Sequence, residues 1–118
     1  MTIAEYHDLV NKKRSKYGNI RTEVDGIWFD SQAEAKRYGD LKLMKFGKLI
    51  RDLQIHPTYE IGPNIIYEAD FQYYEIDHKR TVVEDVKGKK TAEYKLKKKL
   101  FLQLYPQYTF RELSLDEI

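Results

Sequence analysis

Cysteine is absent from the 118 residues. That one absence removes disulfide frameworks, thiolate zinc sites and cysteine nucleophiles, and it is compatible with a reducing cytoplasm. Long apolar runs are missing as well. No stretch approaches the roughly 20 residues that a membrane-spanning helix needs, and the first 20 positions lack the apolar centre of a signal peptide. A soluble, intracellular protein with no membrane partner is therefore expected. His7, His56 and His78 show no ligand spacing such as a pair at i, i+4, so no imidazole metal site is assigned. Internal repeats and low-complexity linkers are lacking, and the length suits a single domain, residues 1–118, with a modest core. Trp28 and the ten tyrosines read as core and interface material, not as a box for an organic cofactor.

Acidic residues are missing from two places. Positions 11–21 carry Lys12, Lys13, Arg14, Lys16 and Arg21 with no acid among them, forming a basic arm over residues 1–21. Lys87, Lys89, Lys90, Lys95, Lys97, Lys98 and Lys99 then share the interval 87–99 with the single acid Glu93. The net charge of +2 hides this segregation. Such clusters suit a polyanion, through phosphate neutralisation and counterion release that are blind to base sequence. A solvated lysine-rich helix face is the plainer alternative.

What is present sorts into elements. A short helix is expected over 2–11. Asp25-Gly26 between the runs 22–24 and 27–29 is a two-residue hairpin signal. Asp30 or Ser31 caps a helix reaching Phe46, with Gly47 as its stop. Residues 53–61 read as a strand that Pro57 marks as an edge or a break. Two strands, 67–75 and 81–87, flank a polar turn at Asp77-His78. A helix over 91–105 places Leu96, Leu100 and Leu104 on one face and Lys95, Lys98 and Lys99 on the other; Pro106 ends it, and 108–113 alternates as a last strand. The core order is αβββαβ, an α/β chain with an α+β mixed sheet, and the final strand–helix–strand connection is expected to be right-handed.

The most informative pairing is Asp70 with Asp85. They stand at equal distances on either side of Asp77-His78, so a hairpin folded there sets them face to face, with Glu68 opposite Lys87. Opposed residues on one face have Cβ atoms about 5 Å apart, and like charges so placed repel; a cation resolves the conflict. Asp85 and Lys87 share a strand face with Val86 turned away, Glu84 points with Val86, and Gly88 breaks the strand. As a string, Asp-x-Lys is weak, since it or Glu-x-Lys occurs five times in the chain. An exposed Asp85–Lys87 ion pair would be worth little and would leave Asp70 unexplained. Glu34 shares a helix face with Tyr38 and Leu41, turned to the sheet, although Ser31-Gln32-Ala33-Glu34 is also a capping box in which the glutamate only satisfies a backbone N–H.

Asp70, then Asp85-x-Lys87, on a hairpin preceded by a helix bearing Glu34, resembles the PD-(D/E)XK nuclease superfamily, whose core is the restriction-endonuclease-like αβββαβ order. Lys16-Tyr17-Gly18-Asn19, the stretch from Val24 to Ala35, Ala69-Asp70-Phe71, Val83-Glu84-Asp85-Val86-Lys87-Gly88 and Tyr94-Lys95-Leu96-Lys97 further resemble a largely uncharacterised family of phage and prophage proteins assigned to that fold. Ala69 stands where the superfamily's motif has proline.

The resemblance implies metal-dependent hydrolysis of DNA phosphodiester bonds. Mg²⁺ or Mn²⁺ would be held by Asp70, Asp85 and the backbone carbonyl of Val86, with Glu34 bound directly or through water. Lys87 would orient or deprotonate the attacking water. Lys12, Lys13, Arg14, Lys16, Lys89, Lys90, Lys95, Lys98 and Lys99 would hold phosphates, while Tyr94 is expected to pack on the sheet. The substrate class stays open. A structure-selective endonuclease acting on replication or recombination DNA, resolvase-like and as a homodimer in a bacterial host, stands beside a non-catalytic DNA-binding accessory protein and an RNA-processing nuclease.

Overall fold

The computed structural model describes residues 20–118 together with Ile3. The expected helix over 2–11, Ile3 apart, and the arm with Lys12, Lys13, Arg14 and Lys16 lie outside the described residues. Among the described residues the fold is mixed α+β. Strands β1 (Thr22–Val24) and β2 (Ile27–Phe29) form a hairpin whose turn residues, Asp25 and Gly26, both take positive φ, 56° and 76°. That is the geometry a two-residue turn requires, and glycine adopts it without a Cβ clash. Helix α1 (Gln32–Phe46) follows. Ser31, in extended conformation, accepts the Glu34 N–H at 3.1 Å, and Gly47 closes the other end on the carbonyls of Leu43 and Lys45. Tyr38 and Lys42 both reach the Asp25 carboxylate, tying the hairpin tip to the helix.

The main sheet has the order β3-β6-β7-β8, from β3 (Ile50–Ile55), β6 (Phe71–Glu75), β7 (Arg80–Lys87) and β8 (Thr109–Ser114). Its first three strands pair antiparallel; β8 pairs parallel to β7 after the crossover through helix α2 (Ala92–Leu104). Read through α1, these elements run αβββαβ. Strands β4 (Thr58–Gly62) and β5 (Ile65–Glu68) form a separate two-stranded arm inserted between β3 and β6.

Two expected strands are each divided. The run 53–61 breaks at His56-Pro57, where His56 takes φ 52° and proline offers no ladder donor. The run 67–75 breaks at Ala69-Asp70, so β5 pairs with β4 while β6 stays in the main sheet. Glu68 consequently faces Thr58, not Lys87. The His56 N–H and the Ala69 N–H cross-link the two breaks, to the carbonyls of Asp70 at 2.9 Å and Pro57 at 3.0 Å.

A core lies on each face of the sheet. Phe29, Tyr38, Leu41, Phe71, Tyr73, Val82 and Val86 pack under α1, whereas Tyr59, Tyr67, Val83, Tyr94 and Phe101 pack under α2. The α2 face differs from expectation. Leu96 and Leu104 are more than half exposed, and Tyr94 and Phe101 are the buried residues. Aromatic mass decides this: Phe101 sits within 4.9–6.2 Å of Tyr59, Tyr67, Tyr105, Tyr108 and Phe110, a larger buried payload than a leucine stripe offers. Trp28 is also outside the core, half exposed beneath the Arg21 guanidinium. No helix among the described residues is long and apolar enough to cross a membrane.

Candidate functional site

The turn over residues 76–79 sets the β6–β7 register at Phe71↔Glu84, Gln72↔Val83 and Glu75↔Arg80. Continued by one residue, that register brings Asp70 opposite Asp85. Each acid takes a backbone N–H from the other's strand: the Asp70 N–H donates to Asp85 Oδ1 at 3.0 Å, and the Val86 N–H donates to Asp70 Oδ2 at 2.7 Å. Asp85 is wholly buried and its Oδ2 has no hydrogen-bond partner among the described residues. Burial pushes its carboxyl up to about 7, with Glu112 adding to the rise, against the opposing pull of Lys87, the Asp70 N–H and Lys98.

Glu34 enters from the first turn of α1. It is buried, and its carboxyl is held well above the usual carboxylate range, first by burial, then by a hydrogen bond with Asp70 and the charges of Asp70 and Asp30. Ser31 Oγ also reaches Glu34 Oε2 at 3.3 Å. The cap and the site therefore coexist: the glutamate's backbone serves the cap, and its carboxyl meets Asp70. A cleft of about 490 Å³ opens beside these groups, lined by Ser31, Glu34, Val86, Lys87 and Thr91. Asp70 and Asp85 do not line it and lie buried.

Lys87 closes the group. It perturbs both Glu34 and Asp85 electrostatically, yet among the described residues it makes no ion pair; its Nζ lies 4.6 Å from the centre of the Tyr94 ring. Tyr94 is buried, as expected, and its hydroxyl donates to Glu112 Oε2 at 2.6 Å. Glu112 also takes Lys98 at 3.0 Å and Lys90 at 2.6 Å. Burial alone would raise its carboxyl, but the hydrogen bonds from Lys90, Tyr94 and Lys98 outweigh that and bring it down to about 2. Lys90 and Lys98, expected to be free for phosphate, are thus engaged with an acid. Lys95 and Lys99 are exposed with no ion pair among the described residues, and Lys89 borders the cleft.

A second buried acid escaped the sequence reading as an anchor. Glu84, on the α1 face of β7, receives Arg37 through two contacts, Nε to Oε1 and Nη2 to Oε2 at 3.1 Å, and the Tyr73 hydroxyl donates to its Oε2. Arg111 extends the network to Tyr73 at 2.8 Å and Glu75 at 3.2 Å. Arg37 lies one turn beyond Glu34 on α1, so this network fixes the helix that delivers Glu34. The 47-residue separation of Arg37 and Glu84 leaves no local signal; Glu84 in an apolar strand was the available hint.

The donor chemistry of Asp70, Asp85 and Glu34 is all oxygen, and one oxygen of Asp85 is buried with no partner among the described residues. That suits a hard divalent cation. As the side chains stand, no group of three or more His, Cys, Asp or Glu among the described residues converges on one point; one oxygen of each aspartate is taken by backbone, and Glu34 is turned to Asp70. The fold and this acid cluster define an αβββαβ protein with a carboxylate-and-lysine site at the fork between β6 and β7. Residues 14–116 match the family described as a protein of unknown function, DUF1064, and the chain belongs to it. No curated protein matches the chain, and no solved structure does.

Proposed function

We propose that this protein is a metal-dependent endonuclease that hydrolyses DNA phosphodiester bonds, as its resemblance to the PD-(D/E)XK superfamily implies. The observation that carries the reading is the buried Asp85 Oδ2, left without a hydrogen-bond partner among the described residues, on an acid that meets Asp70 and shares its strand face with Lys87, while Glu34 meets Asp70 in turn. A protein interior does not leave a carboxylate oxygen unsatisfied without reason. Asp70 and Asp85 would hold Mg²⁺ or Mn²⁺, with the Val86 carbonyl and Glu34, the latter directly or through water. When bound, such an ion lowers the pKa of a coordinated water and draws charge from the phosphate. The Glu34 carboxyl, held high by burial and by Asp70, would favour its ionised form more with a cation beside it. Lys87 orients the attacking water and offsets charge on the phosphate oxygens. Lys89, Lys95 and Lys99 extend a phosphate-binding surface along the start of α2. The setting we infer is the cytoplasm of a bacterial host carrying a phage or prophage, with two copies serving the two strands of a duplex.

Incubating the purified protein with labelled linear, flapped, forked and four-way DNA, and with matched RNA, with and without Mg²⁺ or Mn²⁺, tests this. Cleavage of DNA that requires the metal and is lost in Asp70→Asn supports it. Cleavage confined to RNA would reassign the substrate. Binding without products under every metal condition would make this an accessory protein and overturn the reading.

A further inference from the structure

Lys87 stands two residues along the same strand from a buried carboxylate oxygen that has no partner. Opposite charges at such range attract strongly where water is scarce, and lysine's flexible stem could bring the two together. No ion pair forms. The ammonium sits over the face of Tyr94 instead. We propose that Tyr94, anchored by Glu112, is a positioning residue that holds Lys87 off the carboxylates and so keeps Asp85 Oδ2 open for the divalent cation. This rests on the metal-dependent reading above.

The ring can act as a holder because it is itself held at both ends. Its backbone N–H donates to Thr91 Oγ1 at 3.1 Å in the first turn of α2. Its hydroxyl is fixed on Glu112, whose two oxygens are clamped by Lys90 and Lys98. Glu112 pairs with Asp85 in the parallel β7–β8 register, so the strut is referenced to the very strand that carries Asp85 and Lys87. The aromatic face attracts the ammonium without taking its proton or offering an anion. Lys90 and Lys98 accordingly serve the site's geometry and not the substrate's phosphates.

Two measurements decide the matter, the first without metal or turnover. With lysines reductively ¹³C-dimethylated, the Lys87 resonance, identified by its absence in Lys87→Met, is expected upfield of the other lysines through ring-current shielding. It should stay there in Tyr94→Phe and return to the ordinary lysine position in Tyr94→Leu. In a Mn²⁺ titration by calorimetry, Tyr94→Leu should weaken binding by about five- to tenfold, the scale of a partly buried cation–π contact. That loss should vanish when the same change is made in a Lys87→Met background, because the competing ammonium is gone. A purely structural Tyr94 gives the same loss in both backgrounds, and that outcome, or an unshifted Lys87 signal in the unmodified sequence, overturns the proposal. If Tyr94→Leu does not fold, Glu112→Gln replaces it: loosening the hydroxyl's anchor should reduce the upfield shift, and an unchanged shift counts against the strut. A protein that binds no Mn²⁺ at all sinks the nuclease reading, while the resonance still reports on Lys87 and Tyr94.

Discussion

Glu84 and Asp85 are neighbours on β7 and both are wholly buried, yet one carboxylate is met by Arg37 and Tyr73 while the other keeps an oxygen with no partner. Period two sends them to opposite faces of the sheet. On the α1 face, the guanidinium fork and the phenol satisfy Glu84, and the result is a fixed joint between helix and strand. On the α2 face, Asp85 lies among Asp70, Glu112 and Lys87, and no counter-ion completes its shell. Burial alone does not tell a structural acid from a chemical one. The difference lies in whether the fold supplies the partner, and for Asp85 our proposal assigns that place to a ligand.

The comparison can be pressed hardest through activity. Asp85→Asn is expected to reduce metal-dependent cleavage by roughly 10³-fold, since a catalytic ion is worth several kcal/mol at the transition state. Lys87→Arg should also lose cleavage while binding DNA normally, because a guanidinium is always protonated and too bulky to attend a water. Initial rates and gel shifts on the same substrate check both; normal turnover in Asp85→Asn would erase the distinction between the two acids.

The partnered side is tested by stability. Arg37→Met leaves Glu84 buried without its counter-charge, and breaking such a pair by removing one member costs about 3–5 kcal/mol. Urea unfolding measures it. If the joint matters for delivering Glu34, the folded fraction should also bind Mn²⁺ more weakly.

The unpartnered side makes the opposite kind of statement about pH. Asp85 has its carboxyl raised from 3.8 to about 7. A raised acid lends stability below its unfolded value, and that contribution is lost as pH climbs through the folded one. The metal-free protein should therefore lose stability between about pH 4 and 7, by at most a few kcal/mol from Asp85 at 1.36 kcal/mol per unit; Mn²⁺ should restore it at pH 8, and Asp85→Asn should make the fall shallower, leaving the part that the raised Glu34 carboxyl contributes up to about pH 9. Glu112, brought down to about 2, contributes stability above its unfolded value that fades only as pH falls from about 4.5 through 2, so its effect lies in a separate window. Thermal unfolding from pH 3 to 8, with and without metal, separates them. The smallest expected effect concerns the exposed lysines. Lys95→Gln and Lys99→Gln should each lower the salt dependence of DNA binding by about one unit of slope if the side chain contacts a phosphate, whereas Lys98→Gln, engaged with Glu112, should not.

The central pairing was legible because it needs only two local rules. A turn at Asp77-His78 sets the register, and alternation along β7 puts Asp85 and Lys87 on one face and Glu84 on the other. The capped helix carrying Glu34 was legible from Ser31 and Gly47 for the same reason. What escaped depends on partners distant in the chain. Nothing in residues 67–75 says that the strand changes neighbours at Ala69-Asp70, since that follows from where Pro57 ends the preceding strand. The leucines of α2 look like a buried stripe until Tyr59, Tyr67 and Tyr108 are known to crowd around Phe101. Lys90 and Lys98 look like phosphate ligands until Glu112 is brought across by the parallel strand.

The arm formed by β4 and β5 leaves the main sheet at Pro57 and rejoins it at Asp70, and no ladder bond of the β3-β6-β7-β8 sheet passes through it. Its tip at Pro63-Asn64 is thus free to lengthen, shorten or be exchanged between related chains without shifting the acids by one register step. Grafting experiments on this scaffold have a natural insertion point there, one that leaves the β6–β7 register and its two aspartates in place.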